Sequence, residues 1–193
     1  MNILIDTLPK TVEINGRHYP INTDFRAGII FECSAMNTEQ EIYNILTLYY
    51  GDSFPDDIKG AMRAIMDFYC CGEQPDTEKK PNSKQAYSFE TDSKVIFADF
   101  WNYYNIDLSQ EGLHWWVFRA LLLGLPEDSE FKQRTYYRTC DLKGLSKKER
   151  ERILKIRSNI AIKDKNAPKL TLEERDKKMI AYVQKRHRET KGG

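Results

Sequence analysis

The residues that could do chemistry in this chain are few, and they do not converge. Carboxylates cluster twice, as Asp56-Asp57 and as Glu127, Asp128 and Glu130. Paired carboxylates can hold a metal or share general acid–base work. Both clusters fall where helices are expected to begin, and stabilisation by the helix dipole accounts for them there. Four cysteines, Cys33, Cys70, Cys71 and Cys140, accompany three widely separated histidines, and no zinc-ligand spacing results. A disulfide between the neighbours Cys70 and Cys71 would be strained, so all four cysteines read as reduced, small core residues. No nucleophile sits in a recognisable elbow, and the glycines form no phosphate-cradling loop. The expectation is a protein with no catalytic residue, no metal site and no cofactor.

One aromatic constellation stands out. His114 precedes Trp115-Trp116, with Phe118 and Arg119 just beyond. A histidine beside aromatics could line a ligand pocket. The plainer reading makes the tryptophans core anchors and puts His114 at a helix start. Arg119 would then stack on an aromatic face or pair with an acidic group.

The elements around these residues follow from periodicity. Val12 and Ile14 alternate with polar neighbours, Asn15-Gly16 supplies a two-residue turn, and Arg17–Ile21 returns, which predicts a β-hairpin. Pro20 suits an edge, where no ladder donor is needed. Helical spacing then runs over 23–36, over 38–50 behind a Thr38/Glu41 capping box, and from about Ser53-Phe54-Pro55-Asp56 to Gly72. Residues 73–88 are polar and carry two prolines, which predicts a flexible loop. Helices follow over 92–104, 112–125 and 129–137. The second of these is apolar nearly all round and is expected to be the central buried helix. Leu145–Ile160 forms another, with Leu145, Ile153, Ile156 and Ile160 on one stripe. A Thr171/Glu174 capping box opens a last helix, with a thin apolar face, to about Arg188.

Together these predict a mainly α fold: an N-terminal β-hairpin, a helical bundle and a basic helical C-terminal tail. The body is expected over 1–142 and the tail over 143–193. Charge divides in a similar way. Residues 1–131 hold 10 basic and 21 acidic side chains, a net −11, whereas 132–193 hold 20 and 8, a net +12. Such an asymmetry favours a basic tail meeting an acidic partner, or the acidic part of its own chain. Lys177, Lys178, Lys185 and Arg186 are the tail's candidate contacts. A nucleic-acid module is the competing reading, disfavoured because aromatic stacking residues are sparse in the tail. An interfacial membrane helix is disfavoured by the thin apolar face. The sequence contains no bilayer-spanning apolar run and no signal-peptide pattern at its start.

The segment His114–Leu142 carries a resemblance. Trp-Trp-x-Phe-Arg at 115–119, Leu-Pro-Glu-Asp at 125–128 and Tyr-Arg-x-x-Asp-Leu at 137–142 resemble the gp-fifteen family of long-tailed phages and prophages of Gram-positive bacteria. The hairpin followed by Thr-Asp-Phe-Arg at 23–26 is similar to the family as well. The resemblance implies a non-structural tail assembly chaperone made in the host bacterial cytoplasm. Its members are encoded between the major tail protein and the tape-measure protein, and those two proteins are the implied partners, with self-association as a further expectation. It also implies that Met1 can lie inside a longer frameshift fusion. The family brings no defined binding motif. Leu145, Ile153, Ile156 and Ile160 are the candidate docking stripe, with packing on the parent domain as the equal alternative. A minor structural tail component is a third reading of function.

Overall fold

The computed structural model describes residues 2–52, 54–73 and 84–162, and a compact unit extends over Met1–Ala161. The chain begins with a two-stranded antiparallel hairpin, β1 (Thr11–Ile14) and β2 (Arg17–Pro20). Its register pairs Thr11 with Pro20 and Ile14 with Arg17. The two turn residues, Asn15 and Gly16, have φ of 51° and 76°, as a type I′ turn demands. Seven helices follow: α1 (Phe25–Cys33), α2 (Glu39–Tyr50), α3 (Ile58–Tyr69), α4 (Phe89–Tyr104), α5 (Trp115–Leu123), α6 (Glu130–Thr139) and α7 (Lys147–Asn159). The described fold is therefore mainly helical with an N-terminal β-hairpin.

A hairpin alone is marginal in water, and this one is fixed to the start of α3. Ile14 is buried. The Asn15 amide donates to Asp57 Oδ2 at 3.0 Å, while Asp57 Oδ1 accepts from the Gly60 N–H at 2.9 Å. Asp57 thus caps α3 and ties it to the turn. That cap also explains where α3 begins. Pro55 had suggested an earlier start, but the carboxylate that satisfies the first-turn donor sits at 57.

α1 and α5 start side by side. Asp24 and His114, their N-caps, form an isolated antiparallel bridge. Phe25 N–H donates to Leu113 O at 2.9 Å, and Trp115 N–H to Thr23 O at 2.7 Å. Behind this bridge Gly28 lies flat against Trp115: a Cβ added there would come within 2.3 Å of the indole. Phe118, fully buried, stacks on Phe25 at 4.8 Å and on Phe100 at 5.1 Å. This aromatic junction of α1, α4 and α5 is one part of a core that also takes in Ile45, Leu46 and Tyr49 of α2 and Ile65 and Phe68 of α3.

Two expectations change in detail. α5 is not apolar-buried all round: it buries Trp115, Trp116, Phe118 and Leu122 and leaves Ala120 and Leu123 exposed on its other side. The four cysteines are half-buried, and Cys33 and Cys71 pack against the core from its edge. The compact unit runs through α7 to Ala161. The helix expected over 171–188 lies outside the described residues.

Candidate functional site

The Trp-Trp-x-Phe-Arg segment is built to close the end of another helix. The last carbonyls of α3 lack intrahelical partners. Trp115 Nε1–H donates to Tyr69 O at 2.8 Å, and Trp116 Nε1–H to Phe68 O at 2.8 Å. Arg119 adds a bond to Tyr69 O at 3.3 Å, its guanidinium lying 5.8 Å from both the Tyr69 and Trp115 ring centres. Trp115, Trp116 and Phe118 are buried and Arg119 is half-buried. His114 accepts from the Trp116 N–H through Nδ1 and donates from Nε2 to Pro9 O at 3.0 Å. Its two nitrogens are thereby committed to structure, with the proton on Nε2.

The acidic groups are similarly engaged. Glu41 and Glu149 sit in capping boxes of α2 and α7. The Asn37 and Thr38 N–H groups hold the Glu41 carboxyl below the usual range, the Ser146 hydroxyl and then its N–H do so for Glu149, and the Gly60 N–H and then the Asn15 amide for Asp57. Glu130 pairs with Arg134 at 2.8 Å within α6. Burial pushes the Cys71 thiol up to about 11, which leaves it protonated and a poor nucleophile at neutral pH. Among the described residues, no group of three or more His, Cys, Asp or Glu could hold a metal ion.

A buried ion pair joins α4 to α6. Asp92 is fully buried and Arg138 nearly so. The guanidinium grips the carboxylate by both nitrogens, Nη1 to Oδ2 at 2.6 Å and Nη2 to Oδ1 at 2.8 Å, a bidentate geometry with all groups satisfied. Burial alone would raise the Asp92 carboxyl. Arg138, the Ser88 N–H and the charge of Arg134 outweigh it and hold the carboxyl below its ordinary value. Arg138 also donates to Ala86 O and, through Nε and Nη2, to Ile160 O at 2.8 and 2.7 Å. From the other side Arg157 of α7 donates to Tyr137 O at 2.6 Å and to Cys140 O. Each arginine thus caps the C-terminal end of the other's helix.

What remains for a partner is surface. In the expected docking stripe, Leu145, Ile153, Ile156 and Ile160 are all half-buried, and α7 contains no buried residue. Lys177, Lys178, Lys185 and Arg186 lie outside the described residues. A second apolar surface was not singled out by the sequence. Between α1 and α4 a groove of 230 Å³ is lined by Phe25, Arg26, Ile29, Ser93, Phe97 and Leu108 among others. Phe97 is 38% exposed and Trp101, stacked on it at 6.5 Å, is 50% exposed. In the sequence both belong only to an apolar helix spacing. Asp92 and Arg138 were likewise not paired in advance, since 46 positions separate them.

Comparison with known proteins adds one match. The model of the family described as Bacteriophage Gp15 protein matches residues 4–162. No curated protein and no solved structure matches the chain.

Proposed function

The chain belongs to the Bacteriophage Gp15 protein family, and on that footing we propose that it is a tail assembly chaperone. It acts without chemistry or cofactor, by reversible binding to the tape-measure protein and to tail-tube subunits in the host cytoplasm. One observation carries the reading: the groove between α1 and α4, which Phe97 lines, with the exposed Trp101 stacked on Phe97 beside it. Exposed stacked aromatics beside an apolar groove suit an amphipathic helix laid along it, anchored at positions three and four apart. A long helical partner offers many such segments, and a chaperone need hold each only weakly. No helix of the described residues is long and apolar enough to cross a membrane.

The test is co-expression with the tape-measure protein of the same phage. The soluble yield of that protein rises with the chaperone present. An unchanged yield at chaperone excess overturns the proposal. Phe97→Asp combined with Trp101→Glu abolishes the rescue while leaving thermal unfolding close to native, since both side chains are partly exposed. Full rescue by that variant removes the groove from the reading. Finding the protein in purified virions by mass spectrometry would mark it as a tail component instead.

A further inference from the structure

The hairpin has two outer edges, and they are not equivalent. Ile21 N–H donates to Lys10 O at 3.0 Å, and the register sets Thr11 opposite Pro20. Bonded and unbonded pairs alternate in an antiparallel ladder. Val12–Tyr19 and Ile14–Arg17 are therefore the bonded pairs, and the N–H and C=O groups of Thr11 and Glu13 point away from β2. No hydrogen bond among the described residues satisfies them. On the outer edge of β2, Pro20 has no N–H to offer, which blunts that edge.

A cleft of 500 Å³ lies along the open edge. It is bordered by Pro9, Val12, Glu13 and Ile14 on one side and by α3 on the other, with no residue of β2. Side chains alternate along a strand: Ile14 is buried and Val12 half-buried, whereas Glu13 is exposed. Glu13 borders the cleft all the same, which places the cleft at the main-chain edge. Its floor is apolar, made by Ala64, Phe68 and Trp116, all buried. β1 runs antiparallel to α3. Its turn end meets Gly60, where an added Cβ would lie 3.0 Å from Ile14. Pro9, at its start, bonds to His114, which packs on Phe68.

Free donors and acceptors spaced along a strand edge fit another extended backbone, and the charges say which kind. Lys59 and Arg63 stand at the turn end of the cleft, both exposed. Neither is in an ion pair among the described residues. The carboxylate beside them, Asp57, is occupied by the Asn15 amide and the Gly60 N–H. Asp67 lines the far end. A second copy's β1, laid antiparallel with Val12 on Val12, would bring its Lys10 opposite Ile14 and against Lys59 and Arg63, which is the wrong charge.

We propose that the open edge of β1 takes an extended segment of a partner protein as a third, antiparallel strand. Its backbone bonds to Thr11 and Glu13, an aliphatic side chain lies over Val12, and an acidic residue two positions earlier faces Lys59 and Arg63. The inference stands on this edge alone and is independent of the groove between α1 and α4.

The probe is the blocked peptide Thr-Glu-Thr-Val-Thr-Ser-Thr, titrated into the full chain and followed by NMR. The Thr11 and Glu13 amides shift saturably, and their hydrogen exchange slows. A peptide with Lys in place of Glu binds about tenfold more weakly, and Arg63→Glu reverses that preference. Thr11→Pro removes one outward donor at the first residue of the strand, where proline is tolerated; it weakens binding and leaves thermal unfolding unchanged. Thr11 and Glu13 amides that stay unmoved at the highest soluble peptide concentration overturn the proposal, as do equal affinities for the two peptides. Shifts at those amides that grow with protein concentration in the absence of peptide make a second copy the occupant and overturn it as well.

Discussion

Three helix ends among the described residues are closed by side chains from elsewhere in the chain, by two opposite means. The end of α3 is closed by indole N–H groups from Trp115 and Trp116, both buried. The ends of α6 and α7 are closed by the guanidinium groups of Arg157 and Arg138. In the first case the donors arrive on large apolar bodies, so the same residues that satisfy the carbonyls also fill the core. In the second, α7 buries no residue at all, and what holds it is polar bonding anchored on a buried carboxylate. The difference teaches where each junction is vulnerable. The α3–α5 junction should fail with the fold, whereas the α6–α7 junction should open by itself and respond to acid.

The strongest way to break that contrast is at its two anchors. Trp115→Ala empties a site walled by Gly28, Tyr69, Phe89 and Phe118 and leaves Tyr69 O without its best donor. A loss of about 3–5 kcal/mol is expected, seen as one cooperative shift in thermal or urea unfolding at every probe. Native stability in this variant would show that the aromatic junction is not part of the core. Arg138→Ala strands Asp92, buried and negative, and is expected to cost about 3–5 kcal/mol of pairing at that site. Here hydrogen exchange should rise first in α6 and α7. If α3 and α5 lose protection equally, the two junctions are one cooperative unit and the comparison collapses.

Acid should sharpen the contrast with a smaller effect, because a protonated Asp92 can still donate to or accept from its neighbours. Its carboxyl is held below the ordinary range despite burial. The unfolded chain therefore takes up the proton first. The contribution of the pair is fully present above the ordinary carboxylate range and is lost as pH falls through the lowered folded value. Hydrogen exchange in α7 should accelerate over that acid window before α5 responds. Asp92→Asn should flatten the α7 response; an unaltered profile would assign the acid sensitivity to other carboxylates.

These contrasts were only partly readable in the sequence, for physical reasons. The hairpin, the Thr38/Glu41 capping box and the helix order follow from local patterns of two to four residues, and local patterns are what a sequence displays. His114 at a helix start was equally local. The roles of Trp115 and Trp116 were half legible: bulk pointed inward, but nothing near them named the Phe68 and Tyr69 carbonyls that their N–H groups meet. α4 is apolar on two sides, and its spacing cannot say that Ile96 and Phe100 take the core while Phe97 and Trp101 face out. The charged clamp was the least legible, since Asp92, Arg138 and Arg157 meet only through the packing of α4, α6 and α7. Tyr-Arg-x-x-Asp-Leu at 137–142 held one of its members and gave no sign of the partner.

The smallest effect belongs to the cap of α7, and it isolates what docking contributes. Ser146 Oγ accepts from the Glu149 N–H at 3.3 Å, and Glu149 Oε2 accepts from the Ser146 N–H at 3.0 Å. Ser146→Ala removes half of that exchange, worth about 1 kcal/mol of helix stability. In a helix locked to a core, such a loss spreads into global stability. In a helix held only by the arginine clamp, it should appear as faster exchange within 147–159 and an almost unchanged global unfolding midpoint. Thr38→Ala in α2, whose Ile45, Leu46 and Tyr49 are buried, is the matched control: the same capping chemistry on a core-facing helix should lower the global midpoint. Equal behaviour of the two variants would mean that α7 is as firmly built in as α2, and that polar closure of a helix end can do the work of burial.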